Sequence, residues 1–186
     1  LITDDEEMDG VFVWGIDTAS FGRVSDLPEH LRYDSHKEFH LESGEGERPG
    51  IVLGAYLANR MRVGLGDVIY LMTFGNQSLD DMMMGGLSPN IDGFVVRDIF
   101  ESGMYHFDDS FVFIGIEQAR KLLRIEGEGA TAIHIRIDDL EQATALRQQL
   151  STDLGYPYYT TDWTQQFPEL FEWMELEKWV IFIALS

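Results

Sequence analysis

The hydrophobic positions along the chain form short apolar runs separated by amphipathic stretches and turn-forming residues. Apolar runs bounded by turns are typical of buried strands, whereas periods of three to four residues are typical of helices. This pattern predicts strands at Val11–Ile16, Ile51–Leu53, Val68–Phe74, Phe94–Phe100 and Phe111–Ile114. It predicts helices at Gly54–Met61, Ile116–Ile125 and Leu140–Leu154.

Strict alternation of isoleucine with polar residues marks Thr131–Ile137, which is therefore predicted as a strand. With the helix that follows it and a last predicted strand at Tyr156–Thr160, it gives a β-α-β order. We therefore predict an α+β fold with two subdomains. The first is a discontinuous layer made of residues 1–47 and 128–162, and the second is a β-rich insert at residues 48–127.

Residues 163–186 carry a different pattern. Phe167, Leu170, Phe171 and Met174 recur at helical spacing, and residues 179–186 are apolar and uncharged. A run of eight uncharged residues cannot cross a bilayer, which needs about 20 apolar residues. Two interpretations fit: a C-terminal core helix, or the first turns of a membrane helix that continues beyond the sequence.

Composition narrows the class of protein. The chain has 186 residues, 45% of them hydrophobic, which is enough to build a core. Thirteen basic residues face 33 acidic ones, so the formal net charge is −20, and residues 1–47 carry half of it. Such a chain repels phosphate, which excludes a nucleic-acid partner. The absence of cysteine excludes disulfides and thiolate metal sites.

Few residues suggest catalysis. His36 and His40 lie four apart and could bind a metal with Glu38 if the segment were helical, but solvated loop histidines are the simpler interpretation. Of the adjacent acids, Asp138-Asp139 suits a helix N-cap and Asp108-Asp109 a turn. The sequence contains neither a G-x-S-x-G motif nor the lysine-bearing phosphate loop. We therefore predict no enzyme, no catalytic residues, no cofactor and no metal.

The loop at residues 75–93 is unusual because it is long and rich in apolar side chains. Unbranched methionine side chains suit adaptable binding surfaces, although a loop that folds back over a core would have the same composition. The predicted partner-binding residues are Met82, Met83, Met84, Gly85, Leu87, Pro89 and Ile91.

Read in order, several short motifs resemble the periplasmic domain of the LolC/LolE lipoprotein-releasing ABC permeases, within the wider MacB-like class. The resemblance runs from Pro49 to Ser186 and is weaker at Val11–Thr18. The motifs are Ile51-Val-Leu-Gly54 with Leu57-Ala58, Gly66-Asp67, Phe94-Val-Val with Ile99-Phe100, Ser102-Gly-Met104 with Asp109, Ile116 with Ala119 and Leu122-Leu123, Asp162-Trp163, and Glu177-Lys178 before the final apolar run.

The resemblance implies a non-enzymatic role in an inner-membrane permease, with this domain on the periplasmic side. Such permeases extract lipoproteins from the inner membrane, use a cytoplasmic ATPase subunit, pair with a second permease subunit and pass their cargo to a LolA-type periplasmic chaperone. Residues 48–127 would be the Sabre subdomain, and the flanking parts would be the Porter. Residues 163–186 would lead into a truncated transmembrane segment.

The same resemblance gives the loop a role. Met84-Gly85-Gly86-Leu87-Ser88-Pro89 is similar to the Met-Gly…Pro core of the loop with which LolC-like proteins hook the chaperone. Residues 75–93 contain three acids and no base, which leaves open a LolE-like subunit, a fused homodimeric form, or a chaperone of different charge. The alternative function is a MacB-like efflux or FtsX-like permease with another cargo or partner.

Overall fold

The computed structural model describes residues 2–3, 8–42, 44, 46–73, 89–125 and 127–166. The chain divides into two compact units, residues 1–135 and residues 136–186. The division into subdomains at residues 47, 127 and 162 stays a prediction.

A mixed seven-stranded sheet organises the first unit. Its strands are β1 (Ile2–Thr3), β2 (Met8–Asp9), β3 (Phe12–Ile16), β4 (Gly50–Gly54), β5 (Val68–Thr73), β6 (Asn90–Phe100) and β7 (Phe111–Gly115). The strand order is β2-β1-β5-β6-β4-β7-β3. The pairs β4–β6 and β3–β7 are parallel, and the other neighbours are antiparallel. Together with the helices, this sheet confirms the α+β class.

The helices of the first unit follow strands or short connections. They are α1 (Thr18–Phe21), α2 (Ala55–Met61), α3 (Tyr105–Ser110) and α4 (Ile116–Leu123), with a 3₁₀ turn at Leu27–His30. Helices α2 and α4 each begin directly after a strand that ends in glycine. Each ends at an arginine in the left-handed conformation, Arg62 with φ 56° and Arg124 with φ 54°. That turn lets backbone N–H groups bond to carbonyls of the last helical turn.

Glycine at the end of β4 and in β3 permits two close approaches. A Cβ at Gly54 would lie 2.1 Å from the carbonyl oxygen of Asp108. A Cβ at Gly15 would lie 2.2 Å from the Cβ of Ala119, so α4 packs directly against β3 at that point. These positions require glycine because any larger residue would push a helix away from the sheet.

Two clusters of buried side chains form the core of the first unit. One joins the helix residues Leu57, Met61 and Leu122 to the strand side chains of β4 to β7. The other is aromatic and centres on Phe113, which is fully buried and lies 5.4 Å from Phe100 between ring centroids. Burial of side chains of this size stabilises a fold by about 1.5–3 kcal/mol each.

The second unit contains a 3₁₀ turn at Leu140–Gln142 and helices α5 (Ala143–Leu154) and α6 (Trp163–Gln166). Asp139 accepts the N–H of Glu141, which confirms the predicted N-cap at Asp138-Asp139. Asp162 accepts hydrogen bonds from Arg147 and Thr144 of α5 and so ties the start of α6 to that helix. The predicted helix at Phe167–Met174 and the apolar segment 179–186 lie outside the described residues.

Several predictions about local structure were wrong. Residues 131–137 and 156–160 form neither strand nor helix, and Ile133 is 85% exposed. Alternation favours a strand only where a neighbouring strand supplies hydrogen bonds, and no described strand pairs with either segment. Asp108 and Asp109 belong to α3 instead of a turn, because Asp108 is buried and accepts the hydroxyl of Ser102 at 2.6 Å.

Candidate functional site

The base of the apolar loop is a regular antiparallel hairpin. In the β5–β6 pair, Thr73 lies opposite Asn90 and Met72 lies opposite Ile91. Residues 74–89 therefore connect two directly adjacent backbone positions. The predicted loop boundary at residue 93 was wrong, since β6 begins at Asn90. Asn90, Asp92 and Gly93 are of residue types that are depleted in strands, but hydrogen bonding to β5 overrides that local preference.

The structure describes only part of the predicted partner-binding set. Met82, Met83, Met84, Gly85 and Leu87 lie outside the described residues. Pro89 is exposed directly before β6, and Ile91 is 49% exposed within it. The role of all seven residues in binding a partner stays a prediction.

Two polar side chains at the loop base converge on one helix end. The Thr73 hydroxyl donates to the carbonyl oxygen of Leu122 at 3.1 Å. The Asn90 amide donates to the same oxygen at 2.9 Å and to the carbonyl of Lys121 at 3.3 Å. The last carbonyls of a helix lack intrahelical donors, so the end of α4 is a natural acceptor for them. Both ends of the loop are thereby attached to one helix.

Sequence reasoning missed Thr73 and Asn90. The local sequence carried no signal for Asn90, because that residue falls within the predicted loop, where asparagine is common. Its acceptor lies more than 30 positions further along the chain. The pairing of the loop base with α4 follows only from the sheet topology.

The surroundings of the hairpin carry both signs of charge. Asp92 lies opposite Leu71 on β5, one position beyond Ile91. On the next pair, Gly93 lies beneath the ring of Tyr70 and close to Arg48, whose Nε would be 3.4 Å from a Cβ at that glycine. Arg48 thus places one positive charge near Gly93, the residue that follows Asp92 in β6.

A groove of about 520 Å³ lies beside α4, within the first unit. Its walls come from β3, α1, α4 and residues 129–134, and Thr73 also lines it. Two of the charged groups that line it have partners: Asp17 accepts the Ser20 hydroxyl, and Arg120 donates to the carbonyl of Gly129 at 2.8 Å. The groove therefore offers apolar walls and a single tryptophan, Trp14, whose ring contacts His134 at 4.9 Å.

The histidine candidates do not assemble into a metal centre. Residues 37–42 are not helical, and His40 Nε2 lies 3.5 Å from a carboxylate oxygen of Asp34. That carboxylate accepts the N–H groups of Glu38 and His36. These bonds, the one from Glu38 first, hold the pKa of Asp34 below its ordinary value. Within the described ranges, no group of three potential ligands has metal-binding geometry.

Comparison with known proteins gives consistent matches. No family model matches the chain. The lipoprotein-releasing system transmembrane protein LolC of Xylella fastidiosa is 28% identical over 164 residues, which are 88% of this chain and 37% of that protein. LolC of Neisseria meningitidis is 30% identical over 138 residues, 73% of this chain and 32% of that protein.

LolE of Haemophilus influenzae is 22% identical over 185 residues, 100% of this chain and 42% of that protein. The chain is a homologue of the LolC/LolE lipoprotein-releasing proteins. It spans about a third to two fifths of the length of these curated relatives. The predicted resemblance to LolC/LolE is thereby confirmed, and it covers the first unit and the second alike in the LolE alignment.

The relatives are transmembrane proteins of a transport system, and their names describe no enzyme. In the part of this chain that the structure describes, no helix combines the length and the apolar character needed to cross a membrane.

Proposed function

We propose that this chain is the extracytoplasmic part of an inner-membrane ABC permease of the LolC/LolE class. In this proposal the permease extracts lipoproteins from the membrane, and the chain hands them to a LolA-type periplasmic chaperone. Its other partners are a cytoplasmic ATPase subunit and a second permease subunit, both reached through the full-length protein. The observation that carries the proposal is the homology to lipoprotein-releasing proteins along nearly the whole chain.

The hairpin supports a docking role for residues 74–89. The residues that flank this segment, Thr73 and Asn90, lie opposite each other in the β5–β6 ladder, so both of its ends meet the sheet at one place. Ile91 exposes 49% of its surface beside that place. The methionines and leucine of the loop would supply the apolar contact, since flexible thioether side chains adapt to a partner surface.

The relatives favour this function over the alternative of an efflux or cell-wall regulatory permease. The relatives given above are named for lipoprotein release. Residues 75–93 contain three acids and no base. We therefore expect the chaperone surface that contacts them to be neutral or basic, because like charges repel across an interface.

A binding measurement with a LolA-type chaperone from the same organism tests the proposal. We expect the wild-type chain to bind and the double variant Met83→Asp/Leu87→Asp to lose at least about tenfold in affinity, which is about 1.4 kcal/mol. The matched control is Leu65→Asp, the same change at a leucine that is 47% exposed before β5, at the end away from the loop. Equal binding by wild type and double variant, or binding by neither, would contradict the proposal.

A further inference from the structure

We infer that two copies of this chain associate by exchanging strands. In this association Thr131–Ile135 of each copy adds as a further strand to the outer edge of β3 in the other copy. All the residues that carry the inference belong to the first unit. The inference goes beyond the proposed function and does not depend on a chaperone.

The acceptor is the outer edge of β3. This strand is the last in the sheet order, and among the described strands it pairs only with β7. An edge strand presents a row of backbone N–H and C=O groups to a further strand, and proteins usually protect it with charged side chains, proline or a bulge. Strand β3 has neither charge nor proline, its pairing with β7 is regular, and Phe12 is 64% exposed.

The groove beside α4 runs along this edge. Successive residues of a strand point to opposite faces of the sheet. Val13 packs against the main core cluster on the face that α4 covers, and Trp14 packs against the aromatic cluster on the other face. Four consecutive residues of β3, 13–16, line the groove, so it is reached from both faces. A groove with that property follows the edge of the strand, where the backbone groups point.

The donor is the alternating segment that gave a wrong strand prediction. Thr131–Ile135 has β-branched side chains at three of its five positions, which favours an extended strand. Ile133 is 85% exposed and Ile135 is 61% exposed, so neither side chain is covered within the described part of the chain. The segment therefore has the pattern of a strand and two apolar side chains that a neighbouring sheet would bury.

Within one copy this segment passes β3 without pairing to it. The ring of His134 lies 4.9 Å from that of Trp14, but no backbone hydrogen bond joins the described residues 131–135 to β3. Each copy thus carries both an acceptor edge and a donor segment. A two-fold axis lets both copies donate and accept the same strand, which gives a closed, self-complementary interface.

The charge distribution favours a second copy at this surface. Each copy has a formal net charge of −20, and like net charges oppose association. Residues 11–16 contain no ionisable side chain, and residues 130–135 contain only His134. The proposed contact therefore joins two uncharged strands and brings no carboxylates of the two copies together.

Sedimentation of the chain alone at increasing concentration tests the association. We expect a dimer with a dissociation constant of about 1–100 µM for wild type, weakened at least about tenfold in Ile133→Lys/Ile135→Lys. Both substitutions are at exposed positions, so the variant should keep the wild-type circular dichroism spectrum. The matched control is Leu140→Lys/Leu154→Lys, the same charge change at two leucines of the second unit that are 64% and 51% exposed.

A peptide locates the acceptor edge. The variant Ile133→Lys/Ile135→Lys lacks the donor strand but keeps β3, so a synthetic peptide of residues 130–137 should bind to it. We expect the peptide to slow amide hydrogen exchange at residues 12–16 about fivefold or more. The same peptide with both isoleucines replaced by lysine is the control and should have little effect.

Four results would overturn the inference. Wild type could stay monomeric up to about 1 mM, a concentration at which even weak specific association is detectable. The lysine variant could dimerise as well as wild type does. The wild-type amides of residues 12–16 could be equally protected at all concentrations, which would mean that the segment pairs with β3 of its own copy. Finally, the peptide could leave exchange at β3 unchanged, or the lysine peptide could protect β3 equally.

Discussion

The buried carboxylate of Asp98 accepts the backbone N–H of Asp34 at 2.8 Å and joins strand β6 to a connection more than 60 positions earlier in the chain. The same carboxylate accepts the N–H of Tyr33 at 3.1 Å and that of its own neighbour Ile99. Asp98 is 4% exposed, so these groups have little access to water. One acidic side chain therefore provides acceptors for the turn that follows the antiparallel bridge between Leu31 and Phe100.

Replacing Asp98 should destabilise the first unit. We expect Asp98→Ala to lower the free energy of unfolding by about 1–3 kcal/mol or more, because poorly hydrated N–H groups lose their acceptor. Asp98→Asn should cost less, since its amide oxygen can still accept. Urea denaturation measures the difference. The control Glu29→Ala, at an exposed acid, should stay within about 0.5 kcal/mol of wild type, and an equal loss in both variants would contradict this role.

The contact between Gly15 and Ala119 predicts a compensating pair of substitutions. Gly15→Ala should destabilise the chain by about 1–3 kcal/mol, because the added methyl group would overlap the Cβ of Ala119. Ala119→Gly alone should cost about 1 kcal/mol through lower helix propensity.

Combined, the two changes should be less destabilising than the sum of their separate effects. The double-mutant cycle by chemical denaturation isolates this coupling, because it cancels whatever each substitution does independently of the other. Strictly additive losses would show that α4 does not press on β3 at this point.

The second unit should lose stability in acid through Asp162. The hydroxyl of Thr164 donates to this carboxylate at 2.5 Å and, with donors from Thr144 and Arg147, holds the pKa of Asp162 below its ordinary value of 3.8. A lowered folded-state pKa means that the unfolded chain binds the proton more readily. The stabilisation is therefore complete well above pH 3.8 and is lost as the pH falls through the lowered pKa.

Hydrogen exchange as a function of pH can measure this effect at the amides of Thr164 and Gln165, which donate to the Asp162 carboxylate. Intrinsic exchange rates change with pH, so protection factors are the quantity to compare. In Asp162→Asn the acid-dependent part of the protection should disappear, and protection near neutral pH should be reduced. An unchanged pH dependence in that variant would assign the effect to another carboxylate.

Hydrophobic patterning located the elements of the sheet well. The predicted strands at Ile51–Leu53 and Phe111–Ile114 agree with β4 and β7 to within one residue at either end. The strand predicted at Val68–Phe74 agrees with β5 over residues 68–73, and Phe74 lies outside the described residues. The helix predicted at Gly54–Met61 begins one residue later. These elements are amphipathic or fully apolar over their whole length, so local pattern and tertiary burial require the same structure.

Hydrophobic patterning gave wrong predictions where the topology of the sheet, and not the local sequence, determines whether a segment forms a strand. Thr131–Ile137 alternates more regularly than β6 does, yet it lies outside the sheet, while the polar start of β6 at Asn90 lies inside it. A strand is stabilised by hydrogen bonds to a neighbour, and the neighbour is chosen by the topology of the whole unit. Charge and composition carry no information about that choice.

The sequence by itself determined the α+β class, most of the strand and helix positions, and the resemblance to lipoprotein-releasing proteins, because these depend on residue order and periodicity. It also singled out the loop as a candidate partner-binding segment by its methionines. The tertiary structure alone decided the strand order, the burial of Asp98 and Asp108, and the meeting of Thr73 and Asn90 at the end of α4. Those features join residues far apart in the chain, and only the folded backbone brings donors and acceptors within hydrogen-bonding distance.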